Sequence, residues 1–284
     1  MGTRPNQLFL TEFAGLNQKK LNLSAFIDSY QWFDKVLTIM FPDTQYTGLT
    51  LKMMGEAAIQ DNLLNLLKLF DTGLTGIQLV KVDFDNQLKE LPKAIKENIT
   101  VNLESGESVL IRANDHTQYV IFRESHQIKA AKLMTQHSTQ SGKQALFEIS
   151  EESEGTQRMI DLIPALITLL NSEKVLVIDE LERSLHPRLT KSLLLLFLTH
   201  SKAVNSQMIV MTHESELLDL EWLRADEIWF VEKNQTGESS LYSLEEFKPN
   251  YGSDIQKGYL LGRFGAVPLI RTQLFNSPPK TSDG

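Results

Sequence analysis

The segment Lys174-Val-Leu-Val-Ile-Asp-Glu180 carries the strongest chemical signal in the chain. Four apolar residues make a buried strand, and two carboxylates follow where it emerges. In parallel α/β sheets, ligands sit at the C-terminal ends of the strands. Asp179 at such an edge could hold Mg²⁺ against bound phosphates, and Glu180 could orient or deprotonate a water. The plainer alternative makes Asp179 a cap for the next helix and leaves Glu180 solvated. A second apolar strand, Met208-Ile-Val-Met211, ends in Thr212-His213. If the two strands are neighbours, His213 falls near the same edge, where an imidazole could hydrogen-bond a terminal phosphate or position water; taken alone it is an ordinary strand-end residue.

Upstream, Glu152-Ser-Glu-Gly-Thr-Gln157 opens a helix running to Leu170. Free backbone N–H groups at such an N-terminus, with Ser153 and Gly155 allowing close approach, make an anion site. Plain capping by Ser153 or Thr156 is the alternative, and both can hold together. A further carboxylate set, Asp179, Glu180 and Glu182 with the Asp83-Phe-Asp85 pair, would suit a metal-dependent nuclease, although no apolar strand is expected to lead into Asp83.

The elements that must position these groups change character along the chain. Residues 24–40 and 57–70 show helical spacing of apolar residues, and 88–97 is a weaker helix interrupted at Pro92. From Ile99 the period shortens to two: 99–103, 109–111 and 119–122, separated by turn residues, predict a β-meander, with 128–134 and 146–149 as further strands. From Ser153 helices (156–170, 187–199 and a short 214–222) alternate with strands (174–178, 207–211, 227–231), the pattern of a mostly parallel sheet; 241–244 pairs back on the last strand. The expected organisation is a helical segment over 1–98 (a lid, arm or effector dock), a meander over 99–150, an α/β core over 151–270, and a disordered polar tail over 271–284.

Composition bounds the reading. The 284 residues contain no Cys, which excludes disulfides and thiolate metal sites and suggests a reducing, cytoplasmic setting. No apolar run approaches the roughly 20 residues of a membrane helix. Net charge is −8, with −1 in residues 1–150 and −7 in 151–284. Such a chain gains nothing from the generic phosphate attraction behind non-specific nucleic-acid binding, whereas carboxylates clustered in the second half hint at a cation.

In their order, these elements resemble the ABC-class ATPases. Ser153–Gln157 is similar to their signature motif, Val175–Glu180 to Walker B, Ser184-Leu-His-Pro187 to the D-loop and His213 to the switch histidine. The closer resemblance is to the AAA-type ATP-binding proteins of bacterial abortive-infection and related defence systems, with an SMC-like or OLD-like core. Their Glu-Ser-x-Gly-Thr-x-Arg wording is met by Glu152–Arg158, and 224–233 and 258–268 resemble their C-terminal region. The resemblance implies a three-layer P-loop NTPase-like fold, ATP and Mg²⁺ as cofactors, and a head-to-tail homodimer. It assigns Asp179 to the metal, Glu180 and His213 to catalysis, and Ser153, Gly155, Thr156 and Gln157 to the nucleotide of the partner subunit. The output would be a conformational switch acting on an effector nuclease or nucleic acid, in phage defence or nucleic-acid processing.

One departure is large. The family's P-loop, Gly-x-x-x-x-Gly-Lys-Ser/Thr, is absent; in Ser141-Gly-Lys143 the next residue is Gln144, and His137 stands at the first Gly position. The chain is therefore expected to be the C-terminal portion of a longer ATPase, inactive alone. A non-catalytic interaction module on the same fold is the alternative.

Overall fold

The structure, a computed structural model, describes residues 24–44, 57–112, 117–201, 204–248 and 254–268. Contacts divide the chain into two compact units, Met1–Thr212 and His213–Gly284. The expected disordered tail lies outside the described residues.

Among the described residues, the first elements of the first unit are helix α1 (Ser24–Gln31), a π-turn (Trp32–Val36) and strand β1 (Leu37–Met40). Helical spacing predicts one helix from Ser24 to Met40; the structure ends it early. The cause is tertiary: Leu37–Met40 runs parallel to Val175–Ile178 in continuous register, and its β-branched Thr38 and Ile39 suit a ladder better than a helix. Helix α2 (Ala57–Leu69) follows, closed by Asp71 and Gly73 at φ 55 and 75. Strand β2 (Gly76–Val82) then leads straight into Asp83, correcting the expectation that no strand precedes the Asp83–Asp85 pair.

Helices α3 (Phe84–Gln87) and α4 (Lys93–Asn102) come next, with Pro92 as the cap of α4. Here 99–103 is the end of a helix and not the first meander strand. Ile99 and Leu103 are four residues apart, a spacing that satisfies one helix face as readily as one strand face, and both are buried. Arg123 completes the helix end by donating to the carbonyls of Leu103 (2.7 Å) and Thr100 (2.5 Å). The meander is β3 (Ser108–Arg112), β4 (Gln118–Glu124), β5 (Gln127–Ser138) and β6 (Gln144–Glu148). With β2 these make a five-stranded antiparallel sheet, in which β5 pairs with β2, β4 and β6.

The α/β part has the expected grammar: helix α5 (Glu154–Leu170), strand β7 (Val175–Ile178), helix α6 (Pro187–His200) and strand β8 (Gln207–Val210). Strands β1, β7 and β8 form a three-stranded parallel sheet in that order. Its strands are short and its inward face apolar, with Met40, Leu176 and Ile178 buried. Helix α5 joins the two sheets: Met159, Ile163 and Leu169 share one core with those residues, with Leu63 and Leu67 of α2, and with Ile77 and Leu133 of the antiparallel sheet. A smaller core lies on the other side of that sheet, where Phe84, Leu88, Ile99 and Leu103 cover Tyr119, Ile121 and Ala130.

In the second unit, strands β9 (Trp229–Lys233) and β10 (Ser239–Ser243) form an antiparallel hairpin. Residues 214–222 hold a 3-10 turn, Ser215–Leu217, in place of the expected short helix. Helix α7 (Ile255–Leu260) completes a core in which Phe230 stacks on Tyr259 and Phe264.

Because Ile163 is fully buried at the centre of α5, Ile163→Ala should cost about 2–5 kcal/mol. Urea unfolding followed by circular dichroism would measure this, and an unchanged midpoint would remove α5 from the centre of the core.

Candidate functional site

The two carboxylates stand at the C-terminal edge of the parallel sheet. The Asp179 amide still belongs to the ladder, donating to Met40 O at 2.9 Å. On the other side, Met211 N donates to Ile178 O (2.9 Å) and Leu181 N to Met211 O (3.3 Å), so the loop leaving β7 stays stitched to the end of β8. Glu180 and Ser184 both adopt positive φ, 47 and 61. Non-glycine residues in that region cost on the order of 1–3 kcal/mol and cluster where function constrains the backbone. Buried Leu181 and Leu185 anchor the loop in the core and hold this conformation. Glu182 accepts from the Thr212 hydroxyl at 2.6 Å, while His186 and Pro187 open α6, with His186 Nδ1 accepting from Arg188 N at 3.2 Å.

The N-terminus of α5 docks on this loop. Ser153 is its cap, accepting from Thr156 N at 3.2 Å. A Cβ on Gly155 would come within 2.9 Å of the Ser184 carbonyl oxygen, so only glycine permits this approach. Ser184 Oγ donates to Glu154 Oε2 at 3.1 Å. Thr156 is buried, and Gln157 Nε2 donates to Glu152 O at 2.8 Å. The capping and close-packing roles of Ser153 and Gly155 are thus visible, and the structure packs Glu154 and Gly155 against Ser184, in the loop that follows Asp179 and Glu180. His213, exposed, is the first residue of the second unit, one position beyond Thr212.

Arg158 was part of the motif by its spacing but had no role assigned. It is 6% exposed, and it reaches the carbonyls of Phe41 and Pro42 (3.4 and 3.3 Å) and of Asp179 (3.5 Å), while its Nε has no partner. Burial holds its guanidinium below the ordinary arginine range; Asp161, Glu180 and Glu182 oppose that shift and Arg183 adds to it. A signal was present in the sequence: an Arg leading a helix that is otherwise apolar on its inner side.

Asp83 and Asp85 have local employment: Asp83 caps α3 by accepting from Asn86 N at 2.8 Å, and Asp85 pairs with Lys96 at 3.9 Å. Among the described residues no group of three or more His, Asp or Glu could hold a metal by itself. A divalent ion at Asp179 would need phosphate and water oxygens to complete its shell. The Ser141-Gly-Lys143 sequence lies in the hairpin turn between β5 and β6, with Thr139 N donating to Lys143 O at 2.8 Å and Gly142 at φ 75. It does not join a strand to a helix, so its amides cannot cradle phosphates at a helix N-terminus.

A mixed α/β fold with a parallel sheet and flanking helices is consistent with a P-loop NTPase-like AAA domain. A family model described as "AAA domain, putative AbiEii toxin, Type IV TA system" matches residues 57–219. That is more than half of the chain, and the chain belongs to this family. No curated protein matches it significantly. Among the described residues no helix is long and apolar enough to cross a membrane.

The contact at Gly155 gives a sign test. Ala usually improves a helix over Gly by about 1 kcal/mol, but at 155 the added methyl meets a backbone carbonyl. Gly155→Ala should therefore lower the thermal midpoint, and a raised midpoint would show that the Ser184 carbonyl moves aside freely.

Proposed function

We propose that this chain is the C-terminal part of an ABC-class ATPase whose ATP-driven dimerisation switches an effector in an abortive-infection or related defence setting. The observation that carries the reading is the docking of Ser153–Gly155 onto the loop that follows Asp179 and Glu180, in a chain of the AAA family. Asp179 is the residue that would hold Mg²⁺, which when bound supplies charge stabilisation for phosphoryl transfer. A Glu180 carboxylate oxygen takes the proton of the attacking water, and its positive-φ backbone fixes the side chain's departure from the strand. His213 senses the terminal phosphate. Ser153, Gly155, Thr156 and Gln157 present the start of α5 to the nucleotide held by the partner subunit of a head-to-tail homodimer. The partner effector is a nuclease or a nucleic-acid-binding protein.

The residues fit the carboxylate half of a nucleotide site and lack the phosphate cradle, so a P-loop-bearing segment of the parent protein completes it. The position of β8 supports this: it ends the parallel sheet among the described residues, so its outer edge is where a further parallel strand would pair. The second reading, a non-catalytic module on the same fold, rests on the missing P-loop alone; a bare scaffold has no reason to keep the strained Glu180 beside Asp179.

In the P-loop-bearing parent, Glu180→Gln should accumulate an ATP-bound dimer, visible by light scattering, because binding survives while hydrolysis stops. A variant that stays monomeric at saturating ATP removes the role assigned to Glu180. Ser153→Arg should block that dimer and leave ATP capture by a single subunit intact. Calorimetric titration of Mg-ATP into the present chain should give no heat; micromolar binding would mean a phosphate cradle other than a P-loop.

A further inference from the structure

A part-buried group of hydrogen-bonded polar side chains outside that site lies at the end of β5. Alternation puts Thr135 and His137 on the same face of the strand as Leu133, which belongs to the main core. Both reach Glu152, the residue directly before the Ser153 cap. His137 Nε2 lies 2.8 Å from Glu152 Oε1, and the Thr135 hydroxyl donates to the same oxygen. The Glu152 side chain is only 8% exposed. The His137 ring is held edge-on by Phe147, centroids 5.3 Å apart. A carboxylate withdrawn from water needs fixed donors, and here both come from one strand. Donation by His137 requires its proton on Nε2, in the neutral or the charged ring. At its other end Glu152 is tied to α5, its carbonyl accepting from Gln157 Nε2 at 2.8 Å.

We propose that Glu152, gripped by Thr135 and His137, is the positioning residue that sets Ser153 and Gly155, so that β5 relays movement of the antiparallel sheet to the start of α5. Strand β5 is built for this. It spans Gln127–Ser138 and is laddered to β2 over 130–136, to β4 over 127–132 and to β6 over 134–138. It is thus the one strand of that sheet paired to three others among the described residues. Its Ala130 sits in the separate core under α3 and α4. An effector that tilts this helical cover shifts β5, and Glu152 carries the shift to Ser153. The consequence for ATP rests on the function proposed above; the linkage itself does not.

The test is hydrogen–deuterium exchange on the whole chain, without nucleotide, comparing His137→Leu with His137→Gln. His137→Leu should speed exchange of the hydrogen-bonded Thr156 and Gln157 amides roughly tenfold, the effect of losing a charge-assisted hydrogen bond, and leave the 175–178 amides unchanged. His137→Gln keeps an N–H donor and should restore protection. Thr135→Val, close in shape, serves as the second variant if circular dichroism shows that His137→Leu unfolds. Unchanged exchange at Thr156 and Gln157, or equal acceleration at 175–178, overturns the linkage even if the parent proves to be an ATPase. Selective acceleration in a protein whose P-loop-bearing parent never binds ATP supports the linkage and overturns the ATPase reading instead.

Discussion

The burial of one helix face organises the molecule. Along α5, Met159, Ile160, Leu162, Ile163, Ala165, Leu166 and Leu169 are all nearly inaccessible, and they share a core with residues of both sheets and of α2 and α6. Each of the Met, Ile and Leu side chains is worth about 1.5–3 kcal/mol of transfer free energy, so α5 cannot rotate or slide without disturbing the core of the first unit. Its N-terminus is therefore placed by this core together with the grip of β5 on Glu152. The cap at Ser153, the close approach of Gly155 to Ser184 and the Arg158 contact with the Asp179 carbonyl all depend on that placement. A site at the sheet edge inherits its geometry from a core some residues away.

Arg158 shows how such a position is tolerated. A guanidinium in the interior is expensive unless its donors are met. Here they are met only loosely, by three backbone carbonyls where β1 and β7 end, with one nitrogen left over. The carboxylates of Asp161, Glu180 and Glu182 supply the favourable field that keeps the charge there. The helix start and the carboxylate edge are thus linked by charge as well as by packing.

The legible parts of the sequence were those in which one short stretch decides its own fate. The run Val175–Ile178 could only be a buried strand, and the cap at Ser153 and the proline start of α6 announced their helices locally. What misled was decided elsewhere. Leu37–Met40 has helical spacing, yet a strand about 140 residues away claims it. Ile99–Leu103 alternates like a strand, but Pro92 and the core under α4 make it helical. Strand β2, with Lys81 and Gln78 among its apolar residues, was hidden because its partner β5 lies far along the chain. At the site, residue types were readable, whereas the positive φ of Glu180, the burial of Arg158 and the grip on Glu152 exist only once distant elements have met.

Among the described residues, the parallel sheet is sealed on one face only. Met40, Leu176 and Ile178 are sealed in the core, while Ile39 and Ile209, in one row across the register, are 44% and 54% exposed, and Met211 follows at 44%. Parallel sheets are ordinarily covered on both sides. An open apolar face beside a terminal strand is the kind of surface on which chains stick to one another. The consequence is colloidal: such a row favours self-association as concentration rises. The net charge of −8 opposes that at low ionic strength, and added salt weakens the opposition. Solubility of the isolated chain should therefore fall with salt well before its fold is lost.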